Sequence, residues 1–148
     1  MSNHWAREYV DYCAREGILN GSKSGNKMVF RPEAPMTRQE FSAALMRFLK
    51  INLKAYEGKP LPFADADKIA PWARGAVGAA YSLGILKGSS RNGAVYADPT
   101  DPITRQEAMT ILGRTQPKGY TPDDLASFTD AGRIAPWARD YVASMVSR

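Results

Sequence analysis

A chain of 148 residues with 44% hydrophobic and 24% charged content suits one compact core, and no apolar run approaches the roughly eighteen residues that a membrane span needs. The formal charge of +5 favours an acidic partner, but no run of five or six Lys/Arg occurs, which argues against a nucleic-acid arm and for basic residues spread over a solvated surface. A single cysteine, Cys13, and a single histidine, His4, exclude a disulfide framework or a structural zinc site built from this chain alone.

The chain says nearly the same thing twice and then begins a third time. His4-Trp5-Ala6-Arg7 recurs as Pro71-Trp72-Ala73-Arg74 and as Pro136-Trp137-Ala138-Arg139. This divides the chain into a first repeat over 1–56, a second over 57–120 and the start of a third over 121–148. Each is near the size at which burial barely offsets chain entropy, so a shared core is expected.

The first helix of each unit is expected to begin near the Trp, with Pro71 and Pro136 at the first helical position, where a missing N–H does no harm. Ala6, Val10, Cys13 and Gly17 form one stripe, repeated by Ala73, Val77, Ala80 and Gly84 and begun again by Ala138, Val142 and Met145. Small residues on this seam suggest that the three helices pack centrally. Gly17 and Gly84, followed by Ile18 and Ile85, fit the left-handed residue that closes a helix. Cys13 then reads as a packing residue and His4 as a helix-start residue.

Gly/Ser/Asn-rich loops follow over 21–27 and 88–93, then short extended pieces ending at Pro32 and Pro99. Second helices are expected from Thr37 and Thr104. A linker at Glu57-Gly58-Lys59-Pro60 leads to Phe63-Ala64-Asp65, and Phe128-Thr129-Asp130 follows a loop at Thr121-Pro122-Asp123-Asp124. The result is five main helices. Met1-Ser2 leads straight into a repeat with no apolar signal region, which reads as an excised fragment.

Thr37-Arg38-Gln39-Glu40 and Thr104-Arg105-Gln106-Glu107 are capping boxes in form. Capping does not explain the arginine, since a cation in the first helical turn opposes the macrodipole by a few tenths to about 1 kcal/mol. Beside free helix-start N–H groups, Arg38 and Arg105 suit an anion such as carboxylate or phosphate. The alternative is a structural bridge to Asp65, Asp98, Asp101 or Asp130. Trp5, Trp72 and Trp137 could stack on sugar rings, although a Trp at the start of an amphipathic helix is more often core. Asp65 and Asp130 could cap a turn or bond a ligand hydroxyl, and capping is the better reading.

Phe-x-Asp, Trp-Ala, Gly-Ile-x-x-Gly, Phe-x-Pro and Thr-Arg-x-Glu, in that order over essentially the whole chain, resemble the S-layer homology domains of bacterial cell-surface proteins. The resemblance implies an all-α architecture of tandem helical repeats, with the first helices in a central three-helix bundle and the second helices projecting as prongs. It further implies binding of an acidic, pyruvylated secondary cell-wall polysaccharide in grooves between prongs, hence an extracellular, wall-bound location. On this resemblance Arg38 and Arg105 would hold the carboxylate, with Asp65, Asp130, Trp5, Trp72, Trp137 and the backbone of Gly21 and Gly88 as further contacts.

Two departures stand out: the first unit lacks its leading Phe-x-Asp, and the third stops before its glycine loop. A partner copy could complete the set by exchanging the incomplete repeat. The reading is a glycan-binding module without catalysis, cofactor, nucleic acid or membrane insertion. Its alternative is a helical-repeat scaffold that binds protein. A wall-degrading enzyme is disfavoured, since no carboxylate pair recurs in a setting that would raise one acid's pKa.

Overall fold

The structure is a computed structural model and describes residues 4–116 and 125–146. The loop expected at 121–124 lies outside the described residues. Five α-helices carry the fold: α1 (Arg7–Arg15), α2 (Arg38–Phe48), α3 (Pro71–Ser82), α4 (Arg105–Gly113) and α5 (Arg139–Val146). Between α1 and α2 lies an antiparallel hairpin of β1 (Ser22–Ser24) and β2 (Lys27–Val29); between α3 and α4 lies its counterpart, β3 (Ser89–Arg91) and β4 (Ala94–Tyr96). The architecture is therefore mostly helical rather than strictly all-α. The expected glycine loops are hairpins, paired Ser22 to Val29 and Ser89 to Tyr96. Asn92 and Gly93, with φ of 49° and 78°, turn the second one in the manner of the Asn-Gly hairpin turn.

Helix ends follow the sequence closely. Thr37 and Thr104 cap α2 and α4, each hydroxyl accepting the N–H three residues on and each Glu carboxylate accepting the Thr N–H. Gly17 and Gly84, at φ of 70° and 72°, end the first helices, and Ile18 and Ile85 donate back to the carbonyls of Cys13 and Ala80.

The main helix packing joins one unit to the next: α2 lies on α3, and α4 on α5. Ala43, Leu45 and Met46 of α2 are buried with Ala73, Ala76, Val77 and Ala80 of α3. The expected central bundle of first helices does not carry this packing, and α1 buries no residue. The small residues of α3 serve a different approach. A Cβ on Gly75 would stand 2.9 Å from the Leu53 carbonyl, and one on Gly78 would stand 3.2 Å from that of Tyr56. The seam thus admits the linker backbone, while the large side chains of the second helices supply the burial. Gly113 likewise lets α4 approach α5, where an added Cβ would meet the Tyr141 Cβ at 2.8 Å.

Candidate functional site

At the start of α2 every residue of the Thr-Arg-Gln-Glu motif has a partner. Arg38 is buried; its Nε donates to the Ala97 carbonyl at 2.9 Å and its Nη1 to Glu107 at 2.7 Å. Its acidic partner is therefore the glutamate of the second motif, none of the four aspartates considered from sequence. The backbone N–H groups of Arg38 and Gln39 donate to the carbonyls of Asp101 and Pro99 at 3.0 and 2.9 Å. Gln39 accepts the N–H of Ala70, just before α3, at 2.9 Å. This helix start is a closed joint between units, with its amides already occupied.

The start of α4 has the same four residues and a different environment. Gln106 repeats the joint by accepting the Ala135 N–H at 3.0 Å. Arg105, however, is exposed, and neither its guanidinium nor its N–H has an acceptor among the described residues. It lines a groove of about 620 Å³ together with Phe128, Asp130, Arg133, Met109 and Val142. Two guanidinium groups against one carboxylate leave this groove with a cationic balance. An arginine fork beside unpaired helix-start amides is chemically suited to a carboxylate or phosphate.

The remaining expected residues divide in the same way. Asp65 is buried and accepts the N–H groups of Ala97 and Asp98 at 2.8 and 2.9 Å, so both its oxygens hold the segment after β4. Asp130, its counterpart, is exposed in the Arg105 groove. Gly88 is required by close approach, because a Cβ there would stand 2.6 Å from the Tyr96 carbonyl; Gly21 shows a looser version, 3.0 Å from that of Val29. The tryptophans contradict the core reading: Trp5, Trp72 and Trp137 are 82%, 54% and 53% exposed. Each sits beside polar backbone at a helix start, where its indole is not covered by a second helix.

Sequence reasoning missed three participants. Gln39 and Gln106 hold the next unit's first helix, a role signalled only by recurrence of Gln in both motifs. Arg133 enters the groove from the turn after Phe128-Thr129-Asp130, and the signal was present in Lys68, which stands at the same place after Phe63-Ala64-Asp65. Arg91 forms a two-pronged pair with Asp98 at 2.7 and 2.8 Å and stacks 4.2 Å over the Tyr96 ring. The hydrogen bonds from Arg91 hold the Asp98 carboxyl below the usual carboxylate range. No group of His, Cys, Asp and Glu among the described residues could hold a metal ion, and no helix among them is long and apolar enough to cross a membrane.

The family model described as S-layer homology domain matches residues 1–42 and 62–93. The chain is 31% identical to the amylopullulanase of Thermoanaerobacterium thermosulfurigenes over 97% of its own length and 7% of that protein's. It is 30% identical to exoglucanase XynX of Acetivibrio thermocellus over 97% of its length and 13% of that protein's. With the surface-layer 125 kDa protein of Lysinibacillus sphaericus the identity is 31% over 75% of this chain and 9% of the relative. The chain thus spans a small fraction of the relatives it matches.

Proposed function

Because the chain belongs to the S-layer homology domain family, we propose that it anchors the protein carrying it to the cell wall by binding an acidic, pyruvylated secondary cell-wall polysaccharide. Residues 1–56 and 57–120 act as two repeats and 121–148 as the start of a third. The observation that carries the glycan reading is Arg105, an exposed guanidinium beside unpaired helix-start amides in a groove that also presents Arg133 and Asp130. A pyruvyl carboxylate would take the Arg105 fork, with Arg133 as a second cation and Asp130 as acceptor for sugar hydroxyls. The exposed faces of Trp72 and Trp137 offer stacking surface near the two joints. Arg38 works differently: its guanidinium holds the second unit, so its contribution to binding is to keep the joint closed.

In this reading the module binds and catalyses nothing. The activities named in the enzyme relatives belong to proteins of which the matched part is a small share. A protein-binding scaffold is the competing reading, supported by the apolar side chains Phe128, Met109 and Val142 in the groove.

Calorimetric titration with purified wall polymer, before and after removal of its pyruvyl ketals, tests the proposal. Saturable binding that vanishes with the ketals and with Arg105→Ala is the expected result. Polymer binding unchanged by both would sink the carboxylate mechanism, and no binding at all with an intact circular dichroism spectrum would favour the scaffold.

A further inference from the structure

The two units run in register from Trp5 and Trp72 through Gly21 and Gly88 to Thr37 and Thr104, an offset of 67 residues (72 − 5). In the second unit the Phe-x-Asp segment is seated against its own helix and hairpin. The Phe63 ring lies edge-on to Tyr81 at 5.3 Å, and its Cε1 is 2.9 Å from where a Cβ on Gly88 would stand. Ala64 donates its N–H to the Val95 carbonyl at 2.8 Å, and Asp65 accepts the N–H groups of Ala97 and Asp98. Phe63 and Asp65 are 4% and 5% exposed.

The first unit has the matching surface without the segment. A cavity of about 360 Å³ opens between Val10 and Ala14 of α1, Gly21 and the Met28–Phe30 end of the hairpin. Shifted by the same offset, these positions become Val77, Tyr81, Gly88 and 95–97, the very surface that holds Phe63-Ala64-Asp65. Gly21 keeps the close approach to the hairpin carbonyl, but no aromatic ring stands against it. Met28 is 59% exposed and Phe30 36%. The N–H groups of Phe30 and Arg31, counterparts of those that Asp65 accepts, donate to no side chain among the described residues, and the Met28 carbonyl accepts no N–H from outside the hairpin.

We propose that this socket is a docking site for an extended Phe-x-Asp segment supplied by a partner polypeptide other than this chain. The Phe ring fills the space beside Gly21 and Ala14, the middle N–H pairs with the Met28 carbonyl, and the carboxylate takes the amides of Phe30 and Arg31. Ala14 in place of Tyr81 leaves room for an incoming ring. Neither Phe-x-Asp of this chain is free for the task. Phe63 is buried in its own unit, and Phe128 and Asp130 line the Arg105 groove and are joined through Ala131–Arg133 to α5, which packs on α4. The proposal concerns a peptide site apart from the glycan groove and stands independently of it.

The test is titration of the isotope-labelled full chain with a peptide of residues 61–67, Leu-Pro-Phe-Ala-Asp-Ala-Asp, read by amide chemical shifts. Saturable shifts are expected at Gly21, Phe30 and Arg31, with binding weakened at least tenfold when the peptide Phe becomes Ala or its first Asp becomes Asn. Ala14→Phe in the chain, on an exposed position, should abolish binding with the circular dichroism spectrum unchanged, whereas Arg105→Ala should leave it intact. Absence of saturable shifts, or shifts indifferent to the peptide substitutions and to Ala14→Phe, overturns the site. Self-association of the chain that Phe128→Ala abolishes overturns the choice of occupant, since a second copy would then supply the segment.

Discussion

The starts of α2 and α4 carry the same Thr-Arg-Gln-Glu motif and the same capping box, yet their arginines live in opposite surroundings. Arg38 is 7% exposed and bonded to Ala97 and Glu107, while Arg105 is exposed in a groove. The difference is made by the segment over 97–101, which lies across the start of α2 and takes its amides. A helix-start arginine is thus a joint where a neighbouring loop reaches it and a candidate anion holder where none does. The motif supplies the cation and the cap; the neighbour decides the use.

The sharpest way to break this comparison is to remove each arginine in turn. Arg38→Ala leaves the buried Ala97 carbonyl and Glu107 without their donor, so a loss of about 2–3 kcal/mol in urea unfolding is expected. Arg105→Ala should fall within about 0.5 kcal/mol of the parent, as for an ordinary surface position. Equal losses would show that the two joints are alike in solution.

Glycine substitution separates the two hairpins in the same sense. Gly88→Ala places a Cβ against the Tyr96 carbonyl at a φ of 75°, and about 2 kcal/mol of destabilisation is expected from strain of this kind. Gly21→Ala, with the looser 3.0 Å approach, should lose less, and thermal unfolding of both variants gives the order. The caps should not distinguish the joints: Thr37→Ala and Thr104→Ala are each expected to lose about 1 kcal/mol. A much larger loss at Thr37 would mean that the cap and the closed joint act together.

The smallest effect concerns pH. Asp98 has a folded pKa below its unfolded value, so its contribution is present above the ordinary carboxylate range and is lost as pH falls through the depressed value. Asp98→Asn keeps a residue tolerant of the φ of 48° and removes the charge. Its stability should therefore fall less steeply on acidification than that of the parent, with the gap narrowing in high salt. Identical acid limbs would show that the Arg91–Asp98 pair does not contribute.

Much was legible without coordinates. Local chemistry fixes the caps at Thr37 and Thr104 and the helix ends at Gly17 and Gly84, because a side-chain oxygen three residues from an N–H, or a glycine that can turn left-handed, acts within a few residues. Recurrence of whole motifs located the units and the family for the same reason. The hairpins were half-visible in Asn92-Gly93, which is a turn signal in sequence but needs its flanking strands to be read as one.

What only the tertiary structure decided lies between units. Which helix α2 packs on, that Glu107 rather than an aspartate meets Arg38, that Asp65 grips the backbone after β4, and that three tryptophans stand exposed all depend on contacts across about 30 to 70 residues of sequence. Such contacts are selected by the joint shape of two surfaces, and the residue letters at one end do not specify the other. The sequence by itself determined the repeated parts and their local ends; the tertiary structure decided, through which loop covers which helix start, that one copy of a motif closes a joint and the other faces a groove.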